Sequence, residues 1–306
     1  MSDRPGERPA NPLRVVWSRG DGCADLAETL DPDARRVTGD LVESCLEHRA
    51  GLLVRKKLVT SFDLVGTAMP SGVDLERVAG VTALVSGGPH SHLAARIAAH
   101  LGSALSVHAH MACAYQDESD QDQALTTVER LYREVPNLEY SILHAPGAAE
   151  MMDHLSADTL VVIGAPGGSW LQRQFFGRGA RLLSKAPAGA VVVQAAPGRV
   201  FQEMAEPVYV ARHLGAGDAA RLHPEPLIAV VEQGRLIGTV TRSSLLMTGD
   251  GPTVESCMTD PVSVLNTESI ESAEELSREH GGAPIPVVDD GDRLVGMFGL
   301  SPESPS

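Results

Sequence analysis

The chain has no uninterrupted apolar run near the roughly 18 residues needed to cross a bilayer, and its first residues lack the apolar stretch of a secretory signal. The expectation is a soluble, cytoplasmic protein with no membrane insertion. Cysteine is scarce: Cys23, Cys45, Cys113 and Cys257 lie far apart with no paired spacing, as suits free thiols better than disulfides or zinc. Lysine is scarcer, with three against 22 arginines, and the formal net charge is -15. Such a field opposes nucleic acid and anionic membrane surfaces, so neither is expected as a partner. At 306 residues there is room for two domains plus an extension, each with its own core.

From Gly80 to Pro197 short apolar runs alternate with longer helical patterns, the signature of a parallel sheet covered by helices. Strands are expected at Val81–Val85, Ala104–His110, Leu138–Leu143, Leu160–Gly164 and Gly189–Gln194. Helices are expected at His92–Leu101, Asp122–Glu134 and Ala148–Leu155.

Directly after the run Thr159-Leu-Val-Val-Ile163 come Gly164-Ala-Pro-Gly167, nine further residues and Gly177. Glycine lets backbone N–H groups approach an anion with no Cβ in the way, and a following helix adds partial positive charge. Turns after strands are also glycine-rich for steric reasons alone, so the surrounding segment has to decide. Over about 120 residues that segment resembles the universal stress protein family, of the adenine-nucleotide alpha-hydrolase-like superfamily, most strongly in Val161 to Val193.

The resemblance implies an α/β fold with a parallel, five-stranded Rossmann-like sheet. It also implies ATP or another adenine nucleotide held by Ser86, Gly87, Gly88, Gly164, Gly167, Gly177, Arg178 and Gly179, with no metal required. Two positions depart from the family pattern. Arg178 stands where a serine or threonine is expected, and either offers a charge-assisted fork to phosphate or blocks it. Ser86 stands where ATP-binding members carry an aspartate near base and ribose. The run Ser86-Gly-Gly-Pro-His-Ser91 is also similar to the pyrophosphate loop of ATP pyrophosphatases, with His90 in place of the aspartate. Those enzymes need carboxylate-held magnesium, which the loop does not offer.

Beyond Gly198 the chain repeats itself. Glu206-Pro-Val-Tyr-Val210 recurs as Asp260-Pro-Val-Ser-Val264, Pro226-Leu-Ile-Ala-Val-Val231 as Ala283-Pro-Ile-Pro-Val-Val288, and Gly234-Arg-Leu-Ile-Gly-Thr-Val240 as Asp292-Arg-Leu-Val-Gly-Met-Phe298. This resembles a tandem pair of cystathionine-β-synthase (CBS) domains, an α+β regulatory module that commonly binds adenosine nucleotides between its halves. The ligand cleft so implied includes Thr241 and Ser244, where Ser244 replaces the ribose-binding aspartate; Gly299 and Pro302 take the two places in the second half. A ribose diol prefers a carboxylate acceptor, so docking or dimerisation competes with ligand sensing as the role of the pair.

The domain reading is a disordered arm over 1–12, a small α/β extension over 13–77, the stress-protein-like domain over 78–197 and the CBS pair over 198–306. In the extension, strands are expected at Leu13–Trp17 and Leu52–Lys56 with a helix between Asp40 and His48; a degenerate partial repeat and an unrelated extension are both open. His90, His92, His100, His108 and His110 cluster, and His108 and His110 would flank the mouth of the nucleotide cleft. No carboxylate or cysteine completes a ligand set, so no metal site is assigned. Trp170, Phe175 and Phe176 read as a packing or subunit-contact patch.

The functional expectation is a non-catalytic regulatory protein that senses an adenine nucleotide, acting on a regulated protein or transporter. The alternatives are a nucleotide-free scaffold with degenerate sites and an ATP pyrophosphatase-like enzyme. A homodimer is expected, with Val191-Val-Val-Gln194 as a sheet edge pairing with its symmetry mate.

Overall fold

The computed structural model describes residues 13–58, 62–136, 138–145, 150, 153–165, 186 and 188–299. The chain forms two compact units, Met1–Ala196 and Pro197–Ser306.

The first unit is built on one sheet of nine strands: β1 (Val15–Trp17), β2 (Arg35–Arg36), β3 (Leu52–Val54), β4 (Gly66–Ser71), β5 (Gly80–Val85), β6 (His108–Tyr115), β7 (Glu139–His144), β8 (Thr159–Gly164) and β9 (Ala190–Gln194). Their order is β2-β1-β3-β4-β9-β8-β5-β6-β7. Every neighbouring pair is parallel except β4 and β9. The expected block of five parallel strands is therefore present, but within a larger mixed sheet. Residues 13–77, read from sequence as a separate extension, supply the other four strands.

Of the helices α1 (Cys23–Leu30), α2 (Leu41–Glu47), α3 (Ser91–Leu105) and α4 (Gln121–Glu134), α1, α3 and α4 bury one stripe each on a common face, through Leu26, Leu30, Leu93, Ile97, Leu101, Val128 and Leu131. The opposite face carries Leu84, Val161, Ile163 and Val192. Strand β8 is buried along its whole length, which is why Thr-Leu-Val-Val-Ile-Gly reads as a continuous run rather than an alternating one.

Two expectations are corrected here. The second strand is not Ala104–His110: α3 continues to Leu105, Ser106 closes it at φ 56°, and β6 begins at His108. The homodimer edge is the other. Val191–Gln194 lies in the middle of the sheet, because β4 of the same chain pairs with it in the register Thr67↔Gln194, Met69↔Val192 and Ser71↔Ala190. The N–H and C=O groups assigned to a symmetry mate are thus satisfied within the chain.

Outward from this seam, the strands run β4, β3, β1, β2 on one side and β9, β8, β5, β6, β7 on the other. Chain order is the same in both blocks: a strand, a helix, the neighbouring strand, then a return past the first strand to two strands leading to the seam. The loops Ser18–Gly22, before α1, and Ser86–His90, before α3, occupy equivalent places. Among the described residues, the first block is a shortened copy of the second, lacking a counterpart of β7.

The second unit contains two three-stranded sheets, β10 (Tyr209–Ala211), β11 (Leu227–Glu232), β12 (Arg235–Thr241) and β13 (Val264–Leu265), β14 (Ile285–Val288), β15 (Leu294–Phe298). In each the first pair is parallel and the second antiparallel, with a register shift at Val230/Val231 and again at Val287/Val288. Helices α5 (Val200–Glu203), α6 (Ala216–Leu222), α7 (Arg242–Thr248) and α8 (Ile270–Glu279) complete the unit.

The segment entering each half pairs with the last strand of the other. Ala205 bridges to Met297 and Thr259 to Thr239, while Arg199 bridges to Ser269 and Thr253 to Gly215. The sequence repeat is therefore a two-fold exchange in space.

Candidate functional site

In the second block of the first unit, β5 continues through α3 to β6 on one side, whereas β8 lies on its other side. The strand order reverses between β5 and β8, and the crevice beyond their carboxyl ends is where open α/β sheets receive ligands. Leu84 pairs with Ile163, which places Ser86, Gly87 and Gly88 beside Gly164 at one sheet edge. The structure thus brings together four of the sequence-assigned residues. Gly167, Gly177, Arg178 and Gly179, like Trp170, Phe175 and Phe176, lie outside the described residues.

The loop is held from several directions. The Ser86 N–H donates to Ser91 Oγ at 3.2 Å. Gly87 has φ 74°, and a Cβ there would lie 3.1 Å from Thr127 Oγ1 on α4, so a small residue with left-handed freedom is needed. His90 precedes α3, whose first turn carries no acidic side chain. Its Nδ1 accepts the Ala195 N–H at 3.0 Å, tying the loop to the end of β9. The sequence reading missed this contact, whose partners are 105 residues apart. At the neighbouring strand ends, the Tyr115 and His144 rings are 5.4 Å apart, and His144 Nε2 donates to the Gln116 carbonyl at 3.0 Å.

Burial holds the His90 imidazole below its ordinary value. Protonation would also forfeit the bond from Ala195, since an imidazolium has no acceptor nitrogen. An unfolded histidine titrates near 6.5 and the folded one lower, so between the two values the unfolded chain binds more protons. The contribution is complete above the unfolded value and is lost as pH falls toward the folded one. Burial lowers His92 and His110 with the same sign. The urea midpoint of the first unit should therefore drop between about pH 7.5 and about pH 5.5, and less so in His90→Gln. A midpoint that rises with acid would contradict this.

The remaining histidines stand elsewhere. His108 Nε2 meets Glu139 at 3.1 Å, His110 Nε2 meets Ser141 Oγ at 2.8 Å, and the two imidazoles stack 6.1 Å apart. Since His108 pairs with Gly80, at the start of β5, this cluster sits at the sheet edge opposite the glycine loops. Its expected place at the mouth of the nucleotide cleft is corrected accordingly. An open pocket of about 570 Å³, lined by His100, Ser103, Val107, His108 and Glu139, lies beside it. Among the described residues no group of three His, Cys, Asp or Glu side chains could hold a metal ion.

In the second unit, Thr241 ends β12 and caps α7. Its Oγ1 accepts the Ser244 N–H at 3.1 Å and bonds the hydroxyls of Ser243 and Ser244 at 2.9 and 2.8 Å. The two residues assigned to a ligand cleft are thus brought together, with their hydroxyls bonded to each other at a helix start. Gly299, at φ 82°, follows β15, and Pro302 lies outside the described residues.

Residues 254–301 match the CBS domain family. Solved structures similar to this chain include the soluble part of a magnesium transporter, 18% identical over 33% of this chain and 43% of that one, with a TM-score of 0.31. CBSX2 in complex with AMP is 23% identical over 33% of this chain and 89% of that one, with a TM-score of 0.31. The CBS domain of a bacterial CNNM/CorC family Mg2+ transporter is 20% identical over 33% and 69%, with a TM-score of 0.30. The chain therefore spans less than half of the first of these. No curated protein matches it.

Proposed function

We propose that this protein is a non-catalytic regulatory protein of the universal stress type that responds to an adenine nucleotide. The nucleotide's phosphates would lie against Gly164 and its ribose beside Ser86, and the CBS pair would pass the response to a regulated protein. The observation that carries this reading is the meeting of the Ser86–Gly88 loop with Gly164 at the point where strand order reverses. Backbone N–H groups there can meet phosphate with no side chain between. In the CBS pair, the Thr241 and Ser244 hydroxyls are engaged in a helix cap, which favours a module that docks or transmits over one that holds a ribose. With β9 paired inside the chain, any self-association must use another surface.

Calorimetric titration of the whole protein with ATP, ADP and AMP tests the reading. ATP should bind without being hydrolysed. Ser86→Asp, which supplies the carboxylate a ribose diol prefers, should tighten binding by about tenfold, or about 1.4 kcal/mol. Absence of binding heat for all three nucleotides in both proteins would overturn the assignment.

A further inference from the structure

The shortened first block repeats the geometry of the second with different chemistry at its crevice. β1 leads through α1 to β2 on one side and has β3 on the other, so strand order reverses between β1 and β3. Trp17 pairs with Val54 and with Arg36, which aligns the ends of β1, β2 and β3 at one edge. Two turns meet there. A Cβ at Gly20 would lie 2.9 Å from Lys56 Cβ and 3.0 Å from Cys23 Sγ, so the loop after β1 packs directly on the segment after β3.

These turns are strongly basic. Arg19 follows β1, Arg36 ends β2 with its guanidinium 5.6 Å from the centre of the Trp17 ring, and Arg55, Lys56 and Lys57 follow β3. Two of the three lysines of a chain with net charge -15 are therefore adjacent on the segment that follows β3. The acids in the loops after β1, β2 and β3 are Asp21, Asp40 and Asp63, and none is free. Asp40 accepts the Glu43 N–H at 2.9 Å at the start of the helix Leu41–Glu47. Asp21 meets Lys56 Nζ at 3.2 Å, with both side chains largely exposed. The equivalent described residues of the second block, Ser86–His90 and Gly164–Ala165, include no lysine or arginine.

We propose that this crevice is a second anion site, distinct from the one at Ser86 and Gly164, and that it takes a small molecule carrying adjacent phosphates. Several cations carried on the turns at one strand-order reversal match clustered negative charge better than a single carboxylate. The cluster is local, and the acidic remainder of the chain opposes an extended polyanion such as RNA. Asp21 holds Lys56 in place of the ligand and competes with it. The phosphates could belong to free pyrophosphate or to a nucleoside triphosphate, and the two are separated by probing with each.

The test is calorimetry on the full chain at low ionic strength, with pyrophosphate, ATP and a short single-stranded RNA as probes. Pyrophosphate should bind one site. Lys56→Gln combined with Lys57→Gln should weaken it at least about tenfold, and Asp21→Asn should tighten it about threefold by releasing Lys56. A nucleotide ligand would show as a second ATP-binding event whose affinity falls in the double variant and does not respond to Ser86→Asp. Thermal unfolding midpoints of all variants should stay near that of the parent protein, since the side chains changed are exposed. Pyrophosphate affinity unchanged in the lysine variant, no gain in Asp21→Asn, or binding of RNA but not pyrophosphate would each overturn the proposal.

Discussion

Val192→Pro is expected to unfold the N-terminal unit rather than to separate two subunits. Val192 is flanked on both sides, by Ile163 of β8 and by Met69 of β4. A proline there removes a ladder donor and inserts its ring into the centre of the nine-stranded sheet. Val192 is also fully buried, so its apolar contacts are lost with the ladder. The combined cost should exceed about 3 kcal/mol, a large share of the stability of a domain this size. Urea unfolding followed by tryptophan fluorescence reads it, because both tryptophans, Trp17 and Trp170, belong to this unit. A variant with parent-like stability but altered sedimentation would return β9 to a subunit edge.

The second large effect concerns the exchange within the C-terminal unit. A Cβ at Gly238 would lie 2.8 Å from the Thr259 carbonyl oxygen, and one at Gly296 would lie 2.8 Å from that of Ala205. Each carbonyl belongs to a reciprocal pair of backbone hydrogen bonds, Thr239 with Thr259 and Ala205 with Met297. Backbone cannot yield as a flexible side chain would, so Gly238→Val or Gly296→Val should break two hydrogen bonds and overpack the site. Each substitution should cost about 3 kcal/mol. The two-fold relation further requires similar losses from the two variants. Circular dichroism across a urea series checks this; a loss below about 0.5 kcal/mol in either variant would contradict the exchange.

Much of this architecture was legible in the sequence. β5, β8 and β9 announce themselves as continuous apolar runs because both faces of each strand are covered, and the C-terminal repeat is visible residue against residue. β4 was not legible, since Gly66 and Pro70 argue against a strand. Proline is accommodated because β3 pairs only with Gly66–Ala68, which leaves one flank of β4 without a ladder at Pro70. β2 is two exposed arginines held by backbone pairing and by Arg36 over the Trp17 ring, and it carries no apolar signal.

α1 carries the helical spacing of Cys23, Leu26, Ala27 and Leu30, but over only eight residues after a Gly-Asp-Gly turn. Without β4, the place of β9 in the sheet could not be read, and the dimer edge followed from that gap. At the candidate site, Gly164 and the Ser86–Gly88 loop were legible because glycine after a strand is a local signal. The His90–Ala195 bond and the basic crevice at Lys56 depend on pairings between distant segments, which residue spacing does not encode.

Hydrogen exchange of the full chain with and without saturating ATP tests the central claim most directly. Slowed exchange is expected in peptides spanning Ser86–Ser91 and in those that contain Gly164, with little direct change at Thr241–Ser244. Protection confined to residues 197–299, or no protection anywhere, would contradict it.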